Sequence, residues 1–244
     1  MTTRLSVPPI ELFDAPFGEW TLKGDHFPGA RANNALVLHG AGSSARPGYR
    51  IMREALQREG IGSTCFDCVG HGETGGLLAH SSVAARTRQA QAVIAARPMA
   101  GPLHVLGASM GAYNAIRLSE LAPVDTLILF VPGVYTPAAY EVPFGPQFSA
   151  VIRRPRSWDD SDAWEILGRF EGALLVVAAE HDAVIPLEIP QRLVAAAGRA
   201  RWRRLHVLPG GEHQRVWSLM LEQPDLYRQT LGLMLECMAA GRAG

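Results

Sequence analysis

The sequence predicts an α/β protein in which helices cover both faces of one mostly parallel sheet. Short apolar runs alternate with segments of helical periodicity along most of the 244 residues, and this alternation is typical of strand–helix–strand units. Runs such as residues 35–38 are brief and wholly apolar, as expected for buried strands. A chain of this length buries most of its apolar surface without disulfides or metals, so we expect a single domain over residues 1–244.

The predicted elements begin with an antiparallel pair of strands and continue with six short apolar strands. The pair is assigned to residues 5–12 and 20–22, and the later strands to residues 35–38, 63–66, 103–106, 126–131, 173–179 and 203–208. Helices are predicted at residues 47–59, 83–96, 110–121, 187–197 and 215–238. Pro47 suits a first helical turn and Gly60 a helix end, and Pro98 ends the second helix.

The charge balance excludes several classes of function. Lys and Arg total 23 and so do Asp and Glu, which gives a formal net charge of zero. Neither a nucleic-acid partner nor a polybasic membrane attachment is therefore expected, and small diffusing substrates are favoured. The opening segment has no apolar run behind Arg4, unlike a secretory signal, and the apolar runs are too short to span a bilayer. Three cysteines give no disulfide framework, so a reducing, cytoplasmic location is predicted.

Cys65 and Cys68 form a C-x-x-C pair that has two functional interpretations, a redox pair and half of a zinc site. A zinc site needs a second ligand pair, and none follows in the sequence. A redox pair usually opens a helix, whereas Cys65 falls in a predicted strand. We interpret both as small residues around a strand end and expect no metal. We also identify no Rossmann fingerprint and no Walker lysine, so no cofactor is expected.

The segment from Gly107 to Gly111 is a G-x-S-x-G motif between a predicted strand and a predicted helix. A serine at that turn is lifted clear of the sheet, and the flanking glycines let strand and helix approach closely. The helix N-terminus places positive dipole beside the serine oxygen. This context favours Ser109 as a nucleophile over an ordinary turn serine.

A serine nucleophile needs a base, and that base needs an acid to orient it. His213 follows the last predicted strand in a glycine-rich loop, although a capping or surface histidine is the alternative. Asp182 follows the strand at residues 173–179, at the sheet edge where ligands of parallel sheets bind. Glu180 is the competing acid; it lies closer to the strand, so we prefer Asp182.

With these residues in place, the chain resembles the α/β-hydrolase superfamily, in its lipase-like and S33-type branch. The order Ser109, Asp182, His213 matches that superfamily. Further segments carry the resemblance: the H-G-A-G at residues 39–42, the D-C-V-G-H-G-E-T at residues 67–74, the D-A-V-I-P at residues 182–186 and the glycines at 210 and 211. The sequence departs from the usual pattern at Thr74, where serine is common, and at Ala179, where glycine is common.

The resemblance implies an oxyanion hole made by the backbone N–H groups of Ala41 and Met110. His39 is expected to prop the oxyanion loop and is also a candidate substrate contact, and His71 is expected to sit in a structural turn. Residues 134–172 interrupt the strand–helix alternation in the place where such enzymes carry a lid. The aromatic residues that this lid offers to an acyl or aromatic pocket are Tyr135, Phe144, Phe148, Trp158 and Trp164.

Two features of this predicted lid keep simpler interpretations. Trp158 and Trp164 equally suit anchors that fix the lid to the body. The aspartates at 159, 160 and 162 fit a helix start and a solvated face better than a metal site.

The function expected from the resemblance is hydrolysis of a carboxylic ester or thioester through an acyl-enzyme on Ser109. An acyltransferase or thioesterase acting on a carrier-bound chain would use the same residues. A ligand-binding relative without catalysis usually loses part of the triad, and here no member is missing. Haloalkane dehalogenation needs an acid where Ser109 stands. The expected partner is a small acyl substrate.

Overall fold

The computed structural model describes residues 9–31, 34–97, 99 and 101–241. In this part of the chain eight strands form one sheet, in the order β1-β2-β4-β3-β5-β6-β7-β8. They are β1 (Glu11–Phe17), β2 (Trp20–Phe27), β3 (Asn34–Leu38), β4 (Gly62–Phe66), β5 (Leu103–Ala108), β6 (Val124–Phe130), β7 (Ala173–Ala179) and β8 (Trp202–Leu208). β1 pairs with β2 and β2 with β4 in antiparallel fashion, and every other pairing is parallel.

Helices cover both faces of this sheet, as predicted. They are α1 (Arg50–Arg58), α2 (Val83–Ala96), α3 (Met110–Leu118), α4 (Pro137–Tyr140), α5 (Pro146–Ile152), α6 (Ala163–Arg169), α7 (Glu188–Ala196), α8 (Val216–Glu222) and α9 (Pro224–Gly241). A short 3-10 turn, Arg46–Tyr49, leads into α1.

The strand sequences explain why two cores form. Successive side chains of a strand point to opposite faces, and every residue of β7 is buried. Leu174 and Val176 pack into the core under α2, α3, α6 and α7. Leu175 and Val177 pack into the opposite core, under α1, α8 and α9. A wholly apolar strand is therefore required at this central position.

Both strands of the predicted opening hairpin are wrong in their bounds. The sequence predicts the first strand at residues 5–12, of which 5–8 lie outside the described residues, whereas β1 runs from Glu11 to Phe17. Gly18, with φ of 57°, makes the turn that pairs Phe17 with Trp20, and this turn sets the register of the hairpin. β2 also runs on beyond residue 22, because residues 24–27 pair with β4.

The helix predicted at residues 215–238 is two helices, α8 and α9. Gln223 lies between them with extended backbone, φ −125° and ψ 87°. The α conformation is disfavoured for a residue before proline, and Pro224 itself has no N–H to continue a helix. Pro98, predicted to end α2, lies outside the described residues.

The segment predicted as a lid, residues 134–172, connects β6 to β7 and contains α4, α5 and α6. The backbone N–H of Phe144 donates to the carbonyl of Ser81, which precedes α2. Arg156 pairs with Glu188 of α7. The segment is thus fixed to the body at two points, one beside α2 and one on α7.

The parallel strands β3, β5, β6, β7 and β8 all end at one edge of the sheet, and each of the predicted catalytic and oxyanion segments begins there. Within the described residues no helix has both the length and the apolar character needed to cross a membrane.

Candidate active site

Ser109 occupies a strained turn between β5 and α3. Its φ of 50° and ψ of −115° lie in a region that non-glycine residues rarely adopt. Two hydrogen bonds from the loop after β6 hold it there. The N–H of Ser109 donates to the carbonyl of Phe130 at 2.9 Å, and the N–H of Gly133 donates to the carbonyl of Ser109 at 3.2 Å. The loop after β6 therefore helps to fix the conformation that presents the Ser109 hydroxyl.

The glycines of the G-x-S-x-G motif are required by close backbone contacts. A Cβ atom at Gly107 would lie 2.3 Å from the carbonyl oxygen of Gly111, and one at Gly111 would lie 2.2 Å from that of Leu38. No side chain fits such gaps, and the clashing atoms are backbone atoms that cannot rotate away. The sequence motif is thus explained by the packing of α3 against β3 and β5.

A chain of hydrogen bonds joins Ser109, His213 and Asp182. The Nε2 atom of His213 lies 3.1 Å from the Ser109 hydroxyl, and its Nδ1 atom lies 2.7 Å from a carboxylate oxygen of Asp182. An ionised carboxylate only accepts, so Nδ1 must carry the proton. Nε2 is then left with a lone pair that faces the Ser109 hydroxyl.

The Asp182 carboxylate is held in its ionised form. Its other oxygen accepts the N–H groups of Val184 and Ile185, both at 2.8 Å. Burial opposes ionisation, but the hydrogen bonds from His213 and from these two N–H groups outweigh it and lower the pKa of Asp182. Glu180, the competing acid, instead accepts the N–H of Gly210 at 2.7 Å. The geometry therefore favours Asp182 as the partner of His213.

The loop that starts with His39 lies directly against the serine. A Cβ atom at Gly40 would lie 3.6 Å from the Cβ of Ser109. The hydroxyl of Tyr49 accepts the N–H of Gly40 at 3.0 Å, which fixes the loop. Ala41, in this loop, and Met110, which opens α3, both line the cavity beside the serine.

His39 supports this loop from behind and does not reach the cavity. Its side chain has no exposed surface. The Nε2 atom accepts the N–H of Cys68 at 3.0 Å, so the proton of the ring lies on Nδ1. Nδ1 donates that proton to the carbonyl of Gly40 at 2.7 Å. Burial, with the neighbouring Arg86 charge, holds the pKa of His39 well below its usual range. The expected propping role agrees with this position, and the expected substrate contact is wrong because the ring is buried.

The segment at residues 67–74 is a compact turn organised by Asp67. The Asp67 carboxylate accepts from Arg46 at 2.8 Å and from the N–H of Glu73 at 3.0 Å. The Thr74 hydroxyl donates to the Asp67 carbonyl at 2.6 Å, so threonine makes the contact that a serine would make. Residues 70–75 have the G-x-G-x-x-G spacing of a dinucleotide loop without its context: Asp67 fills the space next to Gly72, and residues 72–74 form a 3-10 turn instead of opening a helix.

A cavity of about 270 Å³ opens beside the serine. Phe144 and Phe148, from the predicted lid, form its apolar wall together with Leu78. His71, assigned only to a turn, also lines it. Tyr135 does not line it; its ring instead packs against Phe148, with the ring centroids 5.8 Å apart.

The other lid residues have structural contacts. Trp158 and Trp164 pack edge to face, 6.4 Å between centroids, and Arg192 of α7 lies over Trp164, so the tryptophans anchor α6 to α7. The three aspartates diverge to separate partners: Asp159 pairs with Arg156 and Arg192, Asp160 accepts from Thr136, and Asp162 accepts from Tyr113 and Arg117. They therefore do not converge on a common point.

Cys65 and Cys68 are buried where β4 ends. Burial raises the pKa of Cys65 to about 12 and also raises that of Cys68, which leaves little thiolate for redox or metal chemistry. In the described ranges no group of three or more His, Cys, Asp and Glu residues is arranged to hold a metal.

A larger cavity, about 400 Å³, lies where β6 begins, and none of the predicted site residues lines it.

One residue of the cavity wall was missed from the sequence. Arg86, on α2, is only 2% exposed and lines the cavity. The signal was available, because Arg86 falls on the buried stripe that Val83, Ala90 and Val93 form at helical spacing. An arginine on such a stripe indicates a buried charge.

Comparison with known proteins places the chain in a family. Residues 30–157, about half of the chain, match the family model described as serine aminopeptidase, S33. An uncharacterised protein of Mycobacterium tuberculosis is 29% identical over 203 residues, covering 79% of this chain and 68% of that protein.

Solved structures with the same fold include esterases and a thioesterase. The Pyrococcus furiosus esterase Pf2001 has a TM-score of 0.72 at 20% identity, covering 93% of this chain and 90% of that one. Est1E from Butyrivibrio proteoclasticus, solved with ferulic acid, has a TM-score of 0.69 at 16% identity, covering 93% of this chain and 99% of that one. The thioesterase domain from the curacin biosynthetic pathway has a TM-score of 0.67 at 15% identity, covering 91% of this chain and 100% of that one. These likenesses confirm the fold, and with the family match they identify the chain as a member of the S33 serine aminopeptidase family of α/β-hydrolases.

Proposed function

We propose that this protein is a serine hydrolase that cleaves a carboxylic ester or thioester of a short acyl group. The observation that carries the proposal is the unbroken chain of hydrogen bonds from Asp182 through His213 to the hydroxyl of Ser109, which stands on a strained turn. Met110, the next residue, lines the neighbouring cavity. An ordinary turn serine needs neither a histidine nor a buried carboxylate behind it.

Each residue has a defined part in the reaction. The Ser109 oxygen bonds to the carbonyl carbon while its proton moves to Nε2 of His213, and the Asp182 carboxylate stabilises the imidazolium that forms. The carbonyl oxygen becomes an oxyanion that faces the N–H groups of Ala41 and Met110. As the bond to the alcohol or thiol breaks, the leaving group takes the proton from His213. Water then attacks the carbonyl carbon of the acyl-enzyme as its proton moves to His213, and the Ser109 oxygen leaves with that proton, which releases the acid and regenerates the enzyme.

The shape of the cavity supports a short acyl group. Its volume of about 270 Å³ lies just below the usual range for ligand pockets, about 300–1,000 Å³, and Phe144 and Phe148 close one side of it. A long carrier-bound chain would need more room. The balanced charge of the chain further supports a small, diffusing substrate.

The test is a panel of p-nitrophenyl esters of graded chain length, assayed beside acyl-CoA thioesters of the same lengths. We expect turnover of short esters or thioesters by the wild type and its loss in Ser109→Ala and His213→Ala, with circular dichroism spectra unchanged. Ester turnover that persists in Ser109→Ala would refute the proposal. Transfer to an added alcohol or thiol in preference to water would reassign the protein as an acyltransferase that uses the same residues.

A further inference from the structure

Arg86 is a buried cation without a carboxylate partner. Its guanidinium donates to the carbonyls of His39 and Gly40 and to the sulfur of Met110 at 3.2 Å. Its Nε atom is buried and has no hydrogen-bond partner. No ion pair involves Arg86 among the described residues; besides these carbonyls and the thioether, the guanidinium lies 3.2 Å from Nδ1 of the His39 ring and contacts the Cys68 thiol, so no carboxylate balances its charge.

The other buried arginines of the chain are treated differently. Arg46 pairs with the carboxylates of Asp25 and Asp67, and Arg53 pairs with Asp25. Such pairing is the rule, because a buried charge without a counter-charge is strongly destabilising. The exception at Arg86 therefore indicates that a negative group from outside the chain completes its surroundings.

The position of Arg86 shows where that group would lie. Arg86 lines the cavity beside the serine together with Met110 and Ala41, and no acidic residue lines it. His71 contributes a second buried polar atom without a partner, Nε2, and lies in the same wall. Phe144 and Phe148 complete an otherwise apolar surface. The wall of this cavity thus holds one cation and one ring nitrogen without a hydrogen-bond partner.

We propose that Arg86 binds a carboxylate at the far end of the acyl group, so that the preferred substrates are half-esters or half-thioesters of short dicarboxylic acids. This inference rests on the proposed function, since it places the acyl group in this cavity. The planar fork of a guanidinium matches a carboxylate, and Arg86 contacts the side chain of Met110, the residue that follows Ser109. Arg86 is then a specificity-determining residue.

The test compares two acyl groups of five carbons that differ in the terminal charge. Mono-p-nitrophenyl glutarate carries the carboxylate and p-nitrophenyl pentanoate does not. For the wild type we expect kcat/KM to favour the glutarate by about tenfold or more, the factor that one charge-assisted hydrogen bond supplies. The preference should lie mainly in KM, because the contact is remote from the reacting carbon.

The variants separate recognition from support of the loop. Arg86 also holds the carbonyls of His39 and Gly40, so Arg86→Gln is expected to slow both esters; the ratio between them should fall to about one or below, since the charge is gone. Arg86→Lys keeps a cation and should retain part of the preference. Arg88→Gln is the matched control: Arg88 lies on the same helix, is half exposed and pairs with Glu141, and its removal should leave the ratio unchanged.

The outcomes distinguish this inference from the proposed function. A wild-type ratio at or below one overturns the inference without any variant, and so does a ratio that Arg86→Gln does not change. If Arg86→Gln does not fold, the wild-type ratio and Arg86→Lys decide. Ser109-dependent cleavage of the pentanoate without a preference for the glutarate would leave the serine hydrolase standing and remove only the role of Arg86. Cleavage of neither ester, with no reaction of Ser109 with a fluorophosphonate, would remove both.

Discussion

Asp182→Asn replaces one atom and tests the role of each oxygen of the carboxylate. One oxygen accepts two backbone N–H groups, from Val184 and Ile185, and the other accepts from Nδ1 of His213. The asparagine oxygen must take the backbone side, because an amide NH₂ there would face two donors. The NH₂ group then faces Nδ1, which becomes an acceptor, and the proton of the imidazole moves to Nε2.

That exchange disables the base while it leaves the fold nearly intact. A protonated Nε2 cannot accept the proton of Ser109, and we expect kcat to fall by about 10⁴-fold, as when a triad carboxylate becomes an amide elsewhere. The two backbone hydrogen bonds survive and the third is replaced by one between neutral groups, so the free energy of unfolding should fall by about 1.5–3 kcal/mol, the size of one charge-assisted hydrogen bond. Stopped-flow or steady-state ester hydrolysis and urea denaturation measure the two effects.

The pH dependence of stability provides an independent check on the same residue. Because the pKa of Asp182 is lowered in the folded protein, its ionised form stabilises the fold above the ordinary aspartate pKa of about 3.9, and this contribution is lost as the pH falls through the folded value. The difference in unfolding free energy between wild type and Asp182→Asn should therefore narrow below about pH 4. Glu180→Gln is the control, since Glu180 accepts the N–H of Gly210 and lies 3.8 Å from the ring of His181, away from the hydrogen bonds of His213. A larger loss of kcat in Glu180→Gln than in Asp182→Asn, at equal stability, would refute the reasoning.

Three further substitutions test the packing around the site. Phe148→Ala removes a ring from the cavity wall and so enlarges the cavity, which should shift the preferred ester towards longer acyl chains. A chain-length profile of kcat/KM identical to that of the wild type would show that Phe148 does not line the pocket. Gly111→Ala places a Cβ 2.2 Å from the carbonyl of Leu38 and should destabilise the fold in thermal denaturation; an unchanged melting temperature would show that α3 has room to move. Thr74→Val removes the hydroxyl that donates to the carbonyl of Asp67 and should cost about 0.5–1.5 kcal/mol, while Thr74→Ser should not, and equal losses for the two would refute that role.

Much of the fold follows from local patterns in the sequence. The bounds of β7 and α2 coincide with their predictions, because a wholly apolar run and an N-cap serine, Ser82, mark them clearly. The predicted bounds of the two hairpin strands are wrong because their register depends on the turn at Gly18 and on the pairing of β2 with β4, which is far away in sequence. The break before Pro224 does follow from the sequence, because the residue before a proline disfavours the α conformation.

The candidate site likewise has one part that the sequence predicts and another that only the structure shows. Ser109, Asp182 and His213 each follow a strand, and the topology brings the ends of parallel strands together, so their order along the chain was enough to expect their meeting. The burial of His39 and the place of Arg86 depend on how α2 packs behind the oxyanion loop. No motif records that packing, and only the three-dimensional arrangement shows an uncompensated charge in the cavity wall.

Covalent labelling of the intact protein with a fluorophosphonate tests the central claim most directly. The reagent phosphonylates a serine only where a base activates it and an oxyanion hole receives the oxygen. We expect a single adduct by mass spectrometry, located on the peptide that contains Ser109, absent from Ser109→Ala and retained in Ser149→Ala, a serine of the same cavity wall. An adduct that persists in Ser109→Ala, or that maps to another serine in the wild type, would contradict the assignment of the nucleophile.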